Sequence, residues 1–94
     1  MKVEYFERRS SGERLEQVSR PRAGAWVHIY GMSLDAREVA QEFSLDANIV
    51  RDIADARELP RAEFKDGIEY IFIRLPVGAA DAAETAPLLI TLNM

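Results

Sequence analysis

The sequence predicts a small α/β domain with a mixed β-sheet, in the order hairpin, strand, two helices, hairpin, strand. Three observations carry this. Short segments with apolar residues at every second position lie on both sides of a central stretch of helical period. The dipeptide Asp66-Gly67 joins two of the alternating segments, as a two-residue hairpin turn requires. The segment after it, IEYIFIRL, is apolar on both faces and so asks for a central place in the sheet with cover on each side.

Residues 3–8 and 14–18 are the first two strands, reversed around Ser10-Ser11-Gly12-Glu13. Their thin apolar content places them at an edge. Ser19 to Gly24 is a loop, because Pro21 disfavours both helix and central strand. Ala25 to Tyr30 forms the next strand, with Val27 and Ile29 on one face and Trp26, His28 and Tyr30 on the other. Ser33 is a suitable N-cap for a helix over 34–43, whose buried stripe is Ala36, Val39, Ala40 and Phe43. Asp46 caps a second helix over 47–56, burying Ile49, Val50, Ile53 and Ala54 and showing Asn48, Arg51, Asp52 and Asp55 to water. Pro60 ends any continuation. Strands then run over 61–65, 68–75 and 87–92, with a small-residue acidic loop over 77–86. The apolar strand PLLITL is a plausible pairing edge, so the chain is expected as a monomer or a dimer.

A length of 94 residues allows one domain, expected here as a truncated one because the chain stops directly after an apolar strand. The 48% apolar content argues for a packed core. Sixteen acidic against 12 basic residues, intermixed, give a charge of −4 and no basic patch for nucleic acid. Cysteine is absent, which excludes disulfides, thiolate metal sites and thiol nucleophiles. Glu4 and Glu7 interrupt any signal-peptide core, and no run approaches the ~20 apolar residues that span a bilayer, so the polypeptide reads as soluble.

Enzyme chemistry finds no footing. His28 is the only histidine and reads as a structural residue. There is no G-x-S-x-G, and the five glycines are isolated, so no phosphate-cradling loop forms. Asp52 and Asp55 are more informative. Three apart on a helix, they share a face, and carboxylate oxygens suit a hard cation such as Mg2+. Two acids are too few to close a site, and Arg51 can pair with Asp55 across one turn. On the residues alone this reads as a solvated charged face.

The stretch from Trp26 to Leu92 resembles the N-terminal domain of the CorA family of magnesium and cobalt transporters. AWVHIYGMSLDAREVAQEFSL follows the family's Trp-initiated strand, turn and helix, with Trp26, Phe43 and Leu45 in place. IVRDIADARELPRAEFKDGIEYIFIRLP then keeps Asp52, Asp55, Pro60, Arg61, Glu63, Asp66, Tyr70 and Pro76. PLLITL looks like the family strand before the next helices. Ser44 stands where glycine is common, Leu59 where arginine is, and Arg51 where some relatives have glutamate.

The resemblance implies a regulatory domain on the cytoplasmic side of a membrane transporter that is a homo-pentamer and senses Mg2+ at subunit interfaces. It implies that Asp52 is a regulatory Mg2+ ligand, with Asp55 a secondary candidate and Arg51 a fixed cation beside them. The family's stalk helix, membrane helices and G-M-N pore motif would lie after Met94, so this chain by itself conducts nothing and is expected to bind Mg2+ weakly or not at all. The alternative expectation is a stand-alone α/β interaction module without a transport role.

Overall fold

The computed structural model describes residues 2–8, 14–31, 35–78 and 84–93. The expected turn over 10–13, the Ser33 cap and the middle of the 77–86 loop lie outside the described residues. The chain divides into two compact units, Met1–Asp35 and Ala36–Met94.

The first unit is a three-stranded sheet of β1 (Lys2–Arg8), β2 (Leu15–Val18) and β3 (Trp26–Tyr30), in the order β2-β1-β3. Both pairings are antiparallel, with Tyr5 opposite Val18 on one side and Val27 on the other. Alternation along β3 is as expected: Val27 and Ile29 are half-buried, while Trp26, His28 and Tyr30 are exposed. Of the thinly apolar strand pair expected at an edge, β2 is an edge strand, whereas β1 is central because β3 pairs along its other side.

The second unit holds helix α1 (Ala36–Phe43), helix α2 (Ala47–Arg51) and a 3-10 turn at Asp52–Ala54. Strands β4 (Arg61–Lys65), β5 (Ile68–Pro76) and β6 (Thr85–Asn93) follow, paired antiparallel in the order β4-β5-β6. The doubly apolar strand is therefore central. One mixed sheet, however, is not what forms. The described strands pair as two separate three-stranded sheets, antiparallel throughout, with the two helices between them in the chain.

The core of this unit follows from β5. Ile68, Tyr70 and Phe72 alternate onto one face and are buried there with Ile49 of α2, while Leu45, Ile53 and Leu89 pack around them. Each large apolar side chain buried this way stabilises the fold by roughly 1.5–3 kcal/mol. Tyr70 and Phe72 are only 1% and 2% exposed. The second helix is shorter than expected. It closes at Arg51 and tightens into the 3-10 turn, so Ile53 stays half-buried but Ala54 turns out to solvent.

The other face of the same sheet carries Phe64, Ile71, Ile73, Leu75, Leu88, Ile90 and Leu92, of which Phe64 is 68% exposed. On β6 the backbone phase is set by Val77, whose N–H donates to the Glu84 carbonyl at 3.0 Å. Counting along the ladder from that bonded pair places Pro87 at a non-bonded position, so its missing N–H falls on the outer side of β6, where a sheet tolerates proline.

Two described residues other than glycine, Asp66 and Ser44, adopt the left-handed conformation, each at a turn. Asp66 (φ 52°) and Gly67 (φ 80°) make the β4–β5 hairpin, both positive as the expected two-residue turn demands. Ser44 (φ 56°) follows α1, and the Leu45 N–H closes on the Ala40 carbonyl at 2.8 Å, which is the Schellman arrangement. Glycine normally takes that position. Replacing Ser44 by Gly should therefore raise stability by about 0.5–1 kcal/mol, read as a higher urea midpoint. Phe72→Ala should cost about 3–5 kcal/mol, while Phe64→Ala changes stability by about 0.5 kcal/mol or less. Equal losses for the two phenylalanines would show that the core is not on the face described.

Candidate functional site

The candidate site lies on the second unit, between the end of α2 and the edge strand β4. Pro60 delivers the chain into β4, and the two-residue turn after it fixes the register: Arg61 stands opposite Phe72, Glu63 opposite Tyr70 and Lys65 opposite Ile68. Those three charged side chains therefore share the helix-side face with the core, at its rim. Ala62 and Phe64 point the other way.

Arg61 is the centre of the arrangement. Its guanidinium lies 4.2 Å over the Phe72 ring, where the ring face attracts a cation. One amino group donates to Asp52 Oδ2 at 2.8 Å and stands 3.3 Å from Glu63 Oε2, while the other pairs with Glu58. Glu58 is held in turn: its N–H donates to the Asp55 carbonyl at 3.0 Å, and its carbonyl accepts from Arg74 Nη1 at 2.9 Å. Arg74 also donates to Thr85, through Nε to the hydroxyl at 2.7 Å and through Nη2 to the carbonyl at 3.0 Å. Two strand arginines thus hold the irregular segment 52–60 against the sheet.

Asp52 and Asp55 are placed apart in role. Asp52 opens the 3-10 turn and faces Arg61. Asp55 is already in extended backbone (ψ 111°), where its carboxylate accepts from the Arg57 N–H at 2.9 Å and pairs with the Arg57 side chain at 3.6 Å. Arg51 does not reach Asp55 as the helical spacing predicts. The helix closes at Arg51, and its guanidinium donates back to Asn48.

Beside this network sits a second one. Asp46 takes the N-cap role expected of it, accepting from the Asn48 and Ile49 N–H groups at 2.9 and 3.0 Å. Its other oxygen receives Lys65 Nζ at 2.5 Å, and its own N–H donates to the buried Tyr70 hydroxyl at 2.8 Å. The Lys65 ammonium, then the Ile49 N–H, lower the Asp46 pKa below its usual 3.8, and Asp46 in return raises that of Lys65 above 10.5.

In the first unit, the strand register brings Glu4 opposite His28, with 3.6 Å between Nδ1 and the carboxylate, and the imidazole stacks on Tyr30 at 4.7 Å. Sequence proximity had offered His28 no carboxylate; the sheet supplies one. An open depression of about 310 Å³ in the same unit is lined by Glu7, Arg8, Arg22, Ala23, Gly24 and Ala25, and Glu7 there accepts from the Arg22 N–H at 2.6 Å.

The residues present do not by themselves fit a resident Mg2+ ion. Asp52 is engaged by Arg61 and Asp55 by Arg57, and among the described residues no three acidic or imidazole groups converge as metal ligands. The partnership of Arg61 with Asp52 is the feature that sequence reasoning missed. The signal was present in the hairpin turn, which fixes Arg61 opposite Phe72. Compared with known proteins, the chain matches no family model, no curated protein and no solved structure.

The Asp46–Lys65 pair makes stability depend on pH at both ends. Because the folded Asp46 pKa is depressed, its contribution is present above about pH 4 and is lost as pH falls through the folded value. Because the folded Lys65 pKa is raised, that contribution is present below about pH 10.5 and is lost as pH rises through the folded value. Urea midpoints measured from pH 7 down to pH 2 should therefore fall less for Asp46→Asn than for the unaltered chain. Parallel curves would show that the pair does not carry the acid sensitivity.

Proposed function

We propose that the chain is a regulatory domain of a CorA-like divalent-cation transporter, with the surface around Asp52 facing a neighbouring subunit of a homo-oligomer. Mg2+ is the transported ion of the parent protein and the ion it responds to. The observation that carries this reading is the stretch 49–66, where three residues of the resemblance, Asp52, Arg61 and Glu63, are joined in one surface feature at the rim of the core. From Trp26 onward the order of elements, one strand, two helices and three further strands, is also in keeping with the resemblance. Asp52 keeps 45% of its side chain exposed, as a residue that meets a neighbouring subunit must. In this reading the domain sits on the cytoplasmic side of the membrane. No helix among the described residues is long and apolar enough to cross one.

A second reading, a stand-alone interaction module, is favoured by the open sheet face, where Phe64, Leu75 and Leu92 are 68%, 43% and 46% exposed. Sedimentation across a concentration series separates the two in part: the module reading requires association as concentration rises, and monomer throughout removes it.

The transporter reading is tested on the gene and on its product. Reading the coding sequence past Met94 should reveal two apolar runs of ~20 residues with G-M-N at their junction. The full-length protein in liposomes should then take up Mg2+, and Asp52→Asn should alter how internal Mg2+ limits that uptake. A stop codon soon after Met94, or uptake with the same Mg2+ dependence in the variant, would refute the proposal.

A further inference from the structure

The geometry points to Arg61 as a tethered cation that neutralises the carboxylates around Asp52 from within the chain, in the role a divalent ion would otherwise have to fill. Three carboxylates, those of Asp52, Glu58 and Glu63, meet this one guanidinium. Without it they would share the edge of an apolar core with Arg74, bound to the Glu58 carbonyl at 2.9 Å, as the remaining cation, and like charges so placed repel. A mobile ion can neutralise such a group only while its concentration is high enough. An arginine on a strand is always present.

Three features suit Arg61 to the task. Guanidinium is planar and carries five N–H donors, so it can serve several carboxylates at once, whereas an ammonium acts as a point charge. The Phe72 ring, 4.2 Å beneath it, is 2% exposed and immovable within the core, which fixes the plane of the fork. The strand pairing of Arg61 with Phe72 fixes its root. Arg51, which the sequence places directly beside Asp52, does not take the role, since its guanidinium is turned to Asn48.

Two consequences follow. The surface holds its arrangement without divalent cations, and a divalent ion at Asp52 must first displace Arg61. This inference stands on the geometry of the chain alone and goes beyond the transporter reading.

The test is a double-mutant cycle read by thermal unfolding of the 94-residue chain. Arg61→Gln should lower the melting temperature by roughly 5–10 °C in low salt. Asp52→Asn added to it should recover roughly half of that loss, because the second change removes one of the stranded charges. Added NaCl should also narrow the gap between Arg61→Gln and the unaltered chain. If Arg61 acted only by packing on Phe72, neither the second substitution nor salt would help. Where Arg61→Gln proves too unstable to purify, Arg61→Lys serves in the same cycle: it keeps the charge, loses the fork, and should be destabilised less while still coupling to Asp52. The unaltered chain should melt at the same temperature in millimolar MgCl2 as in NaCl of equal ionic strength. Additive losses in the cycle, or a specific Mg2+ stabilisation of the unaltered chain, would overturn the assignment. Coupling between Arg61 and Asp52 alongside a coding sequence that lacks the pore motif would uphold it and dispose of the transporter reading alone.

Discussion

The second unit is organised by one hydrogen bond, from the Asp46 N–H to the hydroxyl of Tyr70. Tyr70 is almost wholly enclosed, and a hydroxyl taken that far from water must find a partner. The group it meets belongs to the residue that begins α2. Asp46 then spends one carboxylate oxygen on the first turn of that helix and the other on Lys65 of β4. Central strand, helix and edge strand are thereby tied at a single residue. The apolar contacts of Ile49 and Phe72 supply the larger energy, but they are non-directional, whereas the bonds at Asp46 specify where the helix starts relative to the sheet.

A similar division of labour holds at the candidate site. Within the segment 52–60 only Ile53 packs against the core, while Ala54, Asp55, Ala56, Arg57, Leu59 and Pro60 are all exposed. What places it is polar: Arg61 beneath Asp52 and Glu58, and Arg74 beneath the Glu58 carbonyl. Both arginines grow from strands whose register the core determines. The candidate surface is therefore a peripheral structure that inherits its geometry from the sheet. Individual partly exposed ion pairs contribute little to stability, but a shared guanidinium on an aromatic ring forms a network, and networks constrain position better than isolated pairs.

Much of this was legible in the chain itself. The described strands and helices come in the order and of the type that alternation, helical spacing and the Asp46 cap predict, because those signals are local and depend on residues within one turn or one pleat. The Asp66-Gly67 turn was equally plain, since its two positive φ angles ask for those residue types. Less was legible at the site. The pairing of Arg51 with Asp55 assumed a helix through residue 56, and the helix instead closes at Arg51 once Asp52 begins a tighter turn. Helix ends are decided by what the following residues can reach, and those partners were strands away.

The sequence by itself determined the order of elements, the central place of the IEYIFIRL strand, the cap at Asp46 and the hairpin at Asp66-Gly67. Each rests on near-neighbour sterics or on the period with which apolar residues recur. Only the tertiary structure decided that the strands form two antiparallel sheets rather than one mixed sheet, that Glu4 faces His28, and that Arg61 faces Asp52. Those outcomes depend on strand register and on long-range contacts between residues far apart in the chain. A charge pattern read along one dimension shows which residues are able to pair. Which of them do pair is set by the backbone that brings them within reach.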